Sequence, residues 1–286
     1  MASGPFTLKM PDVRTTSVVF ASPHSGRAYA KAFLRRSILD QKAIRSSEDA
    51  FVDRLFERAP QFGAPILMAD TPRAYVDLNR SPDELDPALI AGVRQRHPNP
   101  RISSGLGVIP RVVANGRAIY RGKLTLDTAR QRIAEHWRPY HDTLQMLLDD
   151  SHILFGEAIL IDLHSMPQEA LDSVTRSEGR RPDIVLGDRF GAASNPEIMD
   201  RIEAAFSAAG LNVARNTPFA GAYITQRYGR PSKRQFAVQV EINRSLYMDE
   251  ATISTRSDFR AFRSLMSDVM AEITEIGRKA LPVAAE

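Results

Sequence analysis

Two histidines in this chain each follow an apolar run with the composition of a buried strand. Ala158-Ile-Leu-Ile-Asp-Leu-His164-Ser-Met-Pro167 is apolar at every position but one before its histidine, the pattern of a strand covered on both faces. Pro167 stops that pattern, so His164 is expected at the carboxyl end, the edge of an open α/β sheet at which ligands bind. Val18-Val-Phe-Ala-Ser22 similarly delivers Pro23-His24-Ser-Gly26, where Pro and Gly favour a tight turn and Gly permits a close backbone approach. One strand-end histidine is ordinary loop chemistry, whereas two at the same edge can share a metal ion. Glu48 or Asp49, in Ser46-Ser-Glu-Asp49, can supply a carboxylate from what reads as a serine-capped helix start with acids in its first turn. Two histidines and a carboxylate leave one position open for water, as catalytic zinc requires.

A base and a carboxylate anchor are also present. Phe236-Ala-Val-Gln239-Val-Glu241-Ile242 reads as a strand with Gln239 and Glu241 on one face. A glutamate in such a strand is costly to bury unless paired or functional, and burial raises its pKa into the range of a general base. An ion pair with Arg244 is the plain alternative. Tyr75, Asp77 and Asn79 alternate with Ala74, Val76 and Leu78 before Arg80, which predicts a half-buried strand with a polar row leading to an arginine. Arginine holds carboxylates through paired hydrogen bonds, so Arg80 is expected to grip a substrate carboxylate while Glu241 moves the proton of a metal-activated water.

Composition narrows the alternatives. Cysteine is absent from the 286 residues, so any metal must be held by His, Asp, Glu and water, which suits zinc or another divalent ion. Net charge is +4, with arginines scattered rather than blocked; this is a mild pull on anionic ligands and no signature of nucleic-acid binding. Met1–Asp12 lacks the form of a signal peptide, and no apolar run reaches the ~20 residues of a membrane span. A cytoplasmic protein without a membrane or nucleic-acid partner is expected.

Further strands are predicted at Pro65–Ala69, Asp183–Gly187, Val213–Asn216 and Phe219–Thr225. Helices are predicted from Phe51 to Ala59, over Leu126–Asp150 with an interruption at Pro139, after Asn195-Pro, and over Phe259–Lys279. Alternating strands and helices imply an α/β three-layer sandwich, a mixed but mostly parallel sheet flanked by helices. It is read as a single domain over residues 1–286. Residues 83–122, rich in Pro, Gly and Arg, and the charged stretch 169–182 are expected as loop excursions over the active face. His97 and His152 are expected at the surface, and His136 and His141 in structural contacts, with support of the site the sharper option for His141.

Taken together, Pro23-His-Ser-Gly26, Asp49 with Val52-Asp-Arg-Leu55, Val76-Asp-Leu-Asn-Arg80, Asp162-Leu-His-Ser165, Pro182-Asp-Ile-Val-Leu-Gly187, Phe219-Ala-Gly-Ala-Tyr-Ile224, Gln239-Val-Glu241 and Tyr247-Met resemble the N-formylglutamate amidohydrolases, in order, from about residue 18 to 250. The resemblance implies a zinc-carboxypeptidase-like fold and hydrolysis of a small N-formyl or N-acyl amino acid, foremost N-formylglutamate to formate and glutamate. It implies His24, His164 and Asp49 as zinc ligands, with Glu48 the other option for the carboxylate. Glu241 becomes the base and Asn79-Arg80 the grip on the carboxylate; Arg73, Tyr223 and Arg227 complete the expected substrate-binding set. The carboxypeptidase-type His-x-x-Glu spacing is missing after His24, and residues 220–222 read Ala-Gly-Ala where the family usually has two glycines beside a basic residue. Rival readings are an amidase for another N-acyl amino acid or a peptide fragment, a catalytically silent carboxylate-binding protein, and a nucleic-acid binder suggested by the pI of about 9.5 alone.

Overall fold

The computed structural model describes residues 4–94, 99–172 and 181–278. Seven strands form one sheet: β1 (Phe6–Lys9), β2 (Val18–Ser22), β3 (Ile66–Ala69), β4 (Ala158–Met166), β5 (Ile184–Gly187), β6 (Val213–Arg215) and β7 (Gln235–Asn243). Their order is β1-β3-β2-β4-β7-β5-β6. The four central strands β3, β2, β4 and β7 run parallel, while β1 and β5 join them antiparallel. The α/β expectation holds, with a mixed sheet between two layers of helix and loop. β1 was not foreseen, because a half-exposed four-residue edge strand near the amino terminus leaves almost no pattern.

Alternation along β4 and β7 decides what lies on each side. Ile159, Ile161, Leu163, Val238, Val240 and Ile242 enter one apolar core, covered by the helices Val52–Phe56, Pro196–Ala208 and Phe259–Ile276. Ala158, Leu160 and Ala237 enter the other core, under Leu126–Arg132, Arg138–Phe155 and the 83–122 excursion. On that second face the column turns polar toward the carboxyl end. Asp162 stands beside Gln239 and His164 beside Glu241 in parallel register. Period-2 geometry thus gives one apolar face and one face that becomes a site.

Three expected elements differ. Residues 75–80 form turns rather than a strand. Asp77 accepts the Asn79 amide (2.8 Å) in an Asx turn, and Pro72 O receives the amides of Tyr75 and Val76. Phe219–Thr225 is a loop that opens the short helix Tyr223–Tyr228. Side chains take its donors there, since Gln239 Oε1 accepts from Ala222 and Asn79 Oδ1 from Ile224. Its expected close packing is real: a Cβ on Gly187 would stand 2.6 Å from the Ala220 carbonyl carbon. The third difference is at Ser46–Asp49, which precedes its helix instead of capping it. Helix Val52–Phe56 starts behind Phe51, held in the left-handed region at φ +67°, without a side-chain cap.

Leu126–Phe155 is helical nearly throughout, widened over Ile133–Trp137 into a π turn. Pro139 sits in the first turn of the following segment, where its missing N–H costs little. The closing helix ends at Ile276, and His97 lies outside the described residues, as do 173–180 of the charged stretch. None of the described helices is long and apolar enough to cross a membrane.

Candidate active site

Three chain segments bring a donor each to the carboxyl edge of the sheet. His24 follows β2 and His164 lies on β4; Asp49 stands in the turn before Val52–Phe56, with its amide bonded to His24 O at 3.0 Å. That backbone bond ties the histidine turn to the carboxylate turn. Gly26 secures it from behind: a Cβ there would fall 2.1 Å from Thr71 O, so this glycine admits backbone and not a ligand. All three side chains are buried, and one donor atom from each lies within 4.8 Å of the others. Asp49 Oδ2 is 3.0 Å from His164 Nδ1 and 3.5 Å from His24 Nδ1.

These atoms fit a metal ion. Donors about 2.0–2.2 Å from a tetrahedral ion stand roughly 3.3–3.6 Å apart; the two histidine–carboxylate separations lie near that range, and the three donors as a set lie within 4.8 Å. His24 Nδ1 is buried without a hydrogen-bond partner, a lone pair that burial penalises unless something meets it. Its other nitrogen, Nε2, lies 2.7 Å from Asp77 Oδ1. With that proton donated to Asp77, the ring presents Nδ1 as acceptor. His164 is held differently: its Nδ1 lies 3.0 Å from Asp49 Oδ2, its Nε2 lies 3.1 Å from the Asn79 amide nitrogen, and Asp162 Oδ2 stands 3.1 Å from Nε2 as a charge neighbour without a hydrogen bond. Burial opposes a charge on His164, but Asp162, Asp49 and Glu241 outweigh it and hold its proton affinity well above the ordinary histidine value. The carboxylates around the three donors favour positive charge at this centre.

Glu48 does not take part. Its carboxylate is gripped by Arg45 Nε and Nη2 at 3.0 Å and turns toward a neighbouring cavity. Asp49 is oriented by donors to its other oxygen, Ser165 Oγ at 3.2 Å and Arg244 Nη2 at 3.1 Å. Arg244 is therefore the partner of Asp49, and among the described residues no arginine forms an ion pair with Glu241. Instead, Glu241 Oε1 accepts from Gln239 Nε2 at 2.7 Å. Burial pushes its carboxyl up to about 7, against the pull of His164.

A cavity of about 650 Å³ opens over these groups, lined also by Arg73, Arg80, Arg101 and Leu106. Arg80 is buried; its Nε donates to Leu106 O (3.0 Å) and Nη1 to Asn79 O (2.8 Å), leaving Nη2 for the cavity. Arg73 Nε donates to Asp77 Oδ2 at 3.1 Å. Burial works against the Arg73 charge, and Asp77, Asp49 and Glu241 more than restore it. Asn79 lines the cavity, but its amide is spent on Ile224 N–H (2.7 Å) and the His164 ring. It braces the site where a substrate grip was expected. Tyr223 and Arg227 line a different cavity with Ser81, Trp137 and Arg230. The helix Tyr223–Tyr228 turns them away, a consequence of the strand that did not form. His141 is buried behind the Arg80 turn, with Nε2 2.8 Å from Leu78 O and Nδ1 2.9 Å from the Tyr228 hydroxyl.

Comparison with known proteins places this arrangement. The family described as N-formylglutamate amidohydrolase matches residues 16–248. The chain belongs to the N-formylglutamate amidohydrolase family. Within it, the N-formylglutamate deformylase of Pseudomonas aeruginosa is 31% identical over 268 residues, covering 92% of this chain and 94% of that one. The N-formylglutamate deformylase of Pseudomonas putida is 31% identical over 236 residues, 82% of each. The crystal structure of N-formylglutamate amidohydrolase from Ralstonia eutropha superposes with a TM-score of 0.89 at 34% identity, over 96% of this chain and 99% of that one. As an amidohydrolase, the protein hydrolyses an amide, and the cluster just described lies inside the matched span.

The sequence had signalled His24, Asp49, His164 and Glu241, which the fold brings together. It had not given an orienting role to Asp77, Ser165 and Arg244, which hold these groups by hydrogen bonds, nor to Asp162 beside the His164 ring, and it had not singled out Arg101 in the cavity wall. For Asp77 the trace was present, an aspartate two residues before Asn79 in turn spacing.

Proposed function

We propose that the protein hydrolyses N-formylglutamate to formate and glutamate at a divalent metal, foremost zinc, held by His24 Nδ1, Asp49 Oδ2 and His164 Nδ1. One observation carries the reading. Three convergent buried donors stand beside a buried, register-matched Glu241, in a chain that spans nearly the full length of relatives named N-formylglutamate deformylases. When bound there, such an ion supplies polarisation of the formyl carbonyl and an acidified water. The chain's own residues do the rest. Glu241, with Oε1 fixed by Gln239, takes the water proton on its remaining oxygen and passes it to the amide nitrogen, which leaves as the free amine. Arg80 binds the α-carboxylate and so fixes the scissile bond over the metal, and Arg73 reaches the cavity from its bond to Asp77. Burial of the whole group strengthens each of these electrostatic contacts. In this reading the chain acts as one amidohydrolase domain on a small cytoplasmic molecule.

The test pairs metal analysis of the purified protein with formate release from N-formylglutamate, before and after exhaustive chelation. Near-stoichiometric metal and activity that vanishes with it are expected, with the circular dichroism spectrum retained. Full hydrolysis after complete metal removal would refute the metal; no formate release by metal-loaded protein would refute the substrate.

A further inference from the structure

We infer that Arg101 selects a second carboxylate on the substrate, so that the cavity prefers dicarboxylic N-formyl amino acids to equally shaped ones with a neutral side chain. The inference rests on the proposed reaction and names a specificity residue for it. Four guanidinium groups line the cavity, those of Arg73, Arg80, Arg101 and Arg244. Three have protein partners: Arg73 holds Asp77, Arg244 holds Asp49 and Ser165, and Arg80 holds two carbonyls. Among the described residues no carboxylate lies within ion-pair distance of Arg101, whose side chain is exposed to the opening.

The position of Arg101 is nonetheless fixed. It lies on the turn Pro100–Ser103, where Asn99 Oδ1 accepts the amides of Arg101 (3.0 Å) and Ile102 (3.4 Å) and Ile102 is buried. Arg111 ties the same turn down through Ser103 O at 3.2 Å while bonded to Asp86 at 2.8 Å. Leu106 joins it to the other arginine: its amide donates to Arg101 O (2.8 Å) and its carbonyl accepts from Arg80 Nε. Arg101 and Arg80 are thus two hydrogen bonds apart on one wall. After burial, Arg73 and Arg101 are the neighbours that weaken the proton affinity of Arg80, against Asp77. Two like charges held this close are relieved by anions between or beside them. A substrate with one carboxylate satisfies Arg80, and a second carboxylate satisfies Arg101.

The experiment compares kcat/KM for N-formylglutamate and for N-formylglutamine, a match in shape whose side chain is neutral, in the wild type and in Arg101→Gln and Arg101→Lys. Binding of the products glutamate and glutamine by calorimetry forms a second arm. A charge-assisted hydrogen bond predicts that the glutamate-over-glutamine ratio falls about 10- to 100-fold in Arg101→Gln, with part regained in Arg101→Lys. A ratio unchanged from wild type, or a fall shared equally by both substrates, would overturn the inference. If neither formyl substrate is turned over but the calorimetric preference for glutamate still depends on Arg101, the reaction is wrong and the subsite stands. Equal binding of the two products in wild type would remove the subsite.

Discussion

His141 gives the sharpest test of how the site is supported, because its ring must stay neutral. The imidazole is buried between Trp137 and Tyr228, with ring centroids at 3.9 and 5.9 Å. A carbonyl faces Nε2, so that nitrogen carries the proton, and Nδ1 accepts from the Tyr228 hydroxyl. Burial pushes its pKa down to about 3; Leu78 O acts in the opposite sense and Arg227 adds to the depression. A lowered histidine pKa means the unfolded chain binds the proton first, below about 6.5. Stability from this group is therefore complete above pH 6.5 and drains away as pH falls toward 3. The slope approaches about 1.4 kcal/mol per pH unit, so pH 5 costs about 2 kcal/mol relative to pH 7. Against a total of ~5–15 kcal/mol that is a large share.

The assay is urea unfolding of wild type and His141→Gln at pH 7 and pH 5. The variant loses packing at both, but it has no proton to bind. The stability gap between the two proteins should therefore shrink by about 2 kcal/mol at the lower pH. Carboxylates elsewhere titrate in both proteins and cancel in the difference. A gap independent of pH would show that the ring is already charged or solvated when folded. Since His141 holds Leu78 O, the residue before Asn79-Arg80, KM should be the kinetic parameter most affected.

Four further outcomes follow from the site. Glu241→Gln should keep its metal by elemental analysis and lose about 10²- to 10⁴-fold in kcat; near-normal turnover would remove Glu241 as the base. In the wild type the raised carboxyl must ionise to accept a proton, so activity should fall with acid, on a limb between the ordinary glutamate value and about 7 once a neighbouring cation pulls it down. A profile flat through that range counts against the assignment. Arg80→Ala should raise KM for N-formylglutamate by about tenfold or more with a smaller effect on kcat, and an unchanged KM would take the substrate carboxylate away from Arg80. Asp77→Asn leaves the His24 ring without its carboxylate; metal affinity, read by competition with a chromogenic chelator, should drop about 10- to 100-fold, and unaltered affinity would mean that Asp77 does not set the ring.

The sequence revealed what depended on continuous apolar runs or on a residue type costly to bury. β4 carried the first signal and β7 both, so His164 was legible as a strand-end residue and Glu241 as a polar residue on a buried strand face. Turns that satisfy their backbone through side chains did not reveal themselves. The row Tyr75, Asp77, Asn79 alternates like a strand, yet Pro72 and the Asp77 carboxylate capture its amides. At Phe219–Thr225 the deciding acceptors, Gln239 and Asn79, lie 17 and 145 residues from the amides they bind. Local pattern holds no record of partners that distant, and the error displaced Tyr223 and Arg227 with it. Arg101 was invisible for a third reason, since an unpaired arginine in an aperiodic, polar excursion has the same sequence signature whether it faces solvent or substrate.

The two faces of the central strands explain how the fold tolerates such a centre. Asp162, His164, Gln239 and Glu241 replace apolar residues on one face, and each polar group buried there costs stability unless it is bonded. The residues alternating with them, Ile161, Leu163, Val238, Val240 and Ile242, are fully buried in the opposite core. That core, closed by the helix Phe259–Ile276, supplies the packing that the site face forgoes. Enlarging the polar column by one step, at Leu160 or Ala237, would expose the second core to unpaired charge. Shortening it would strand His24 Nδ1 without its counterpart on β4. The switch from apolar to polar at Asp162 and Gln239, one register step before His164 and Glu241, is therefore set by the position of the donors from the β2 and Asp49 turns.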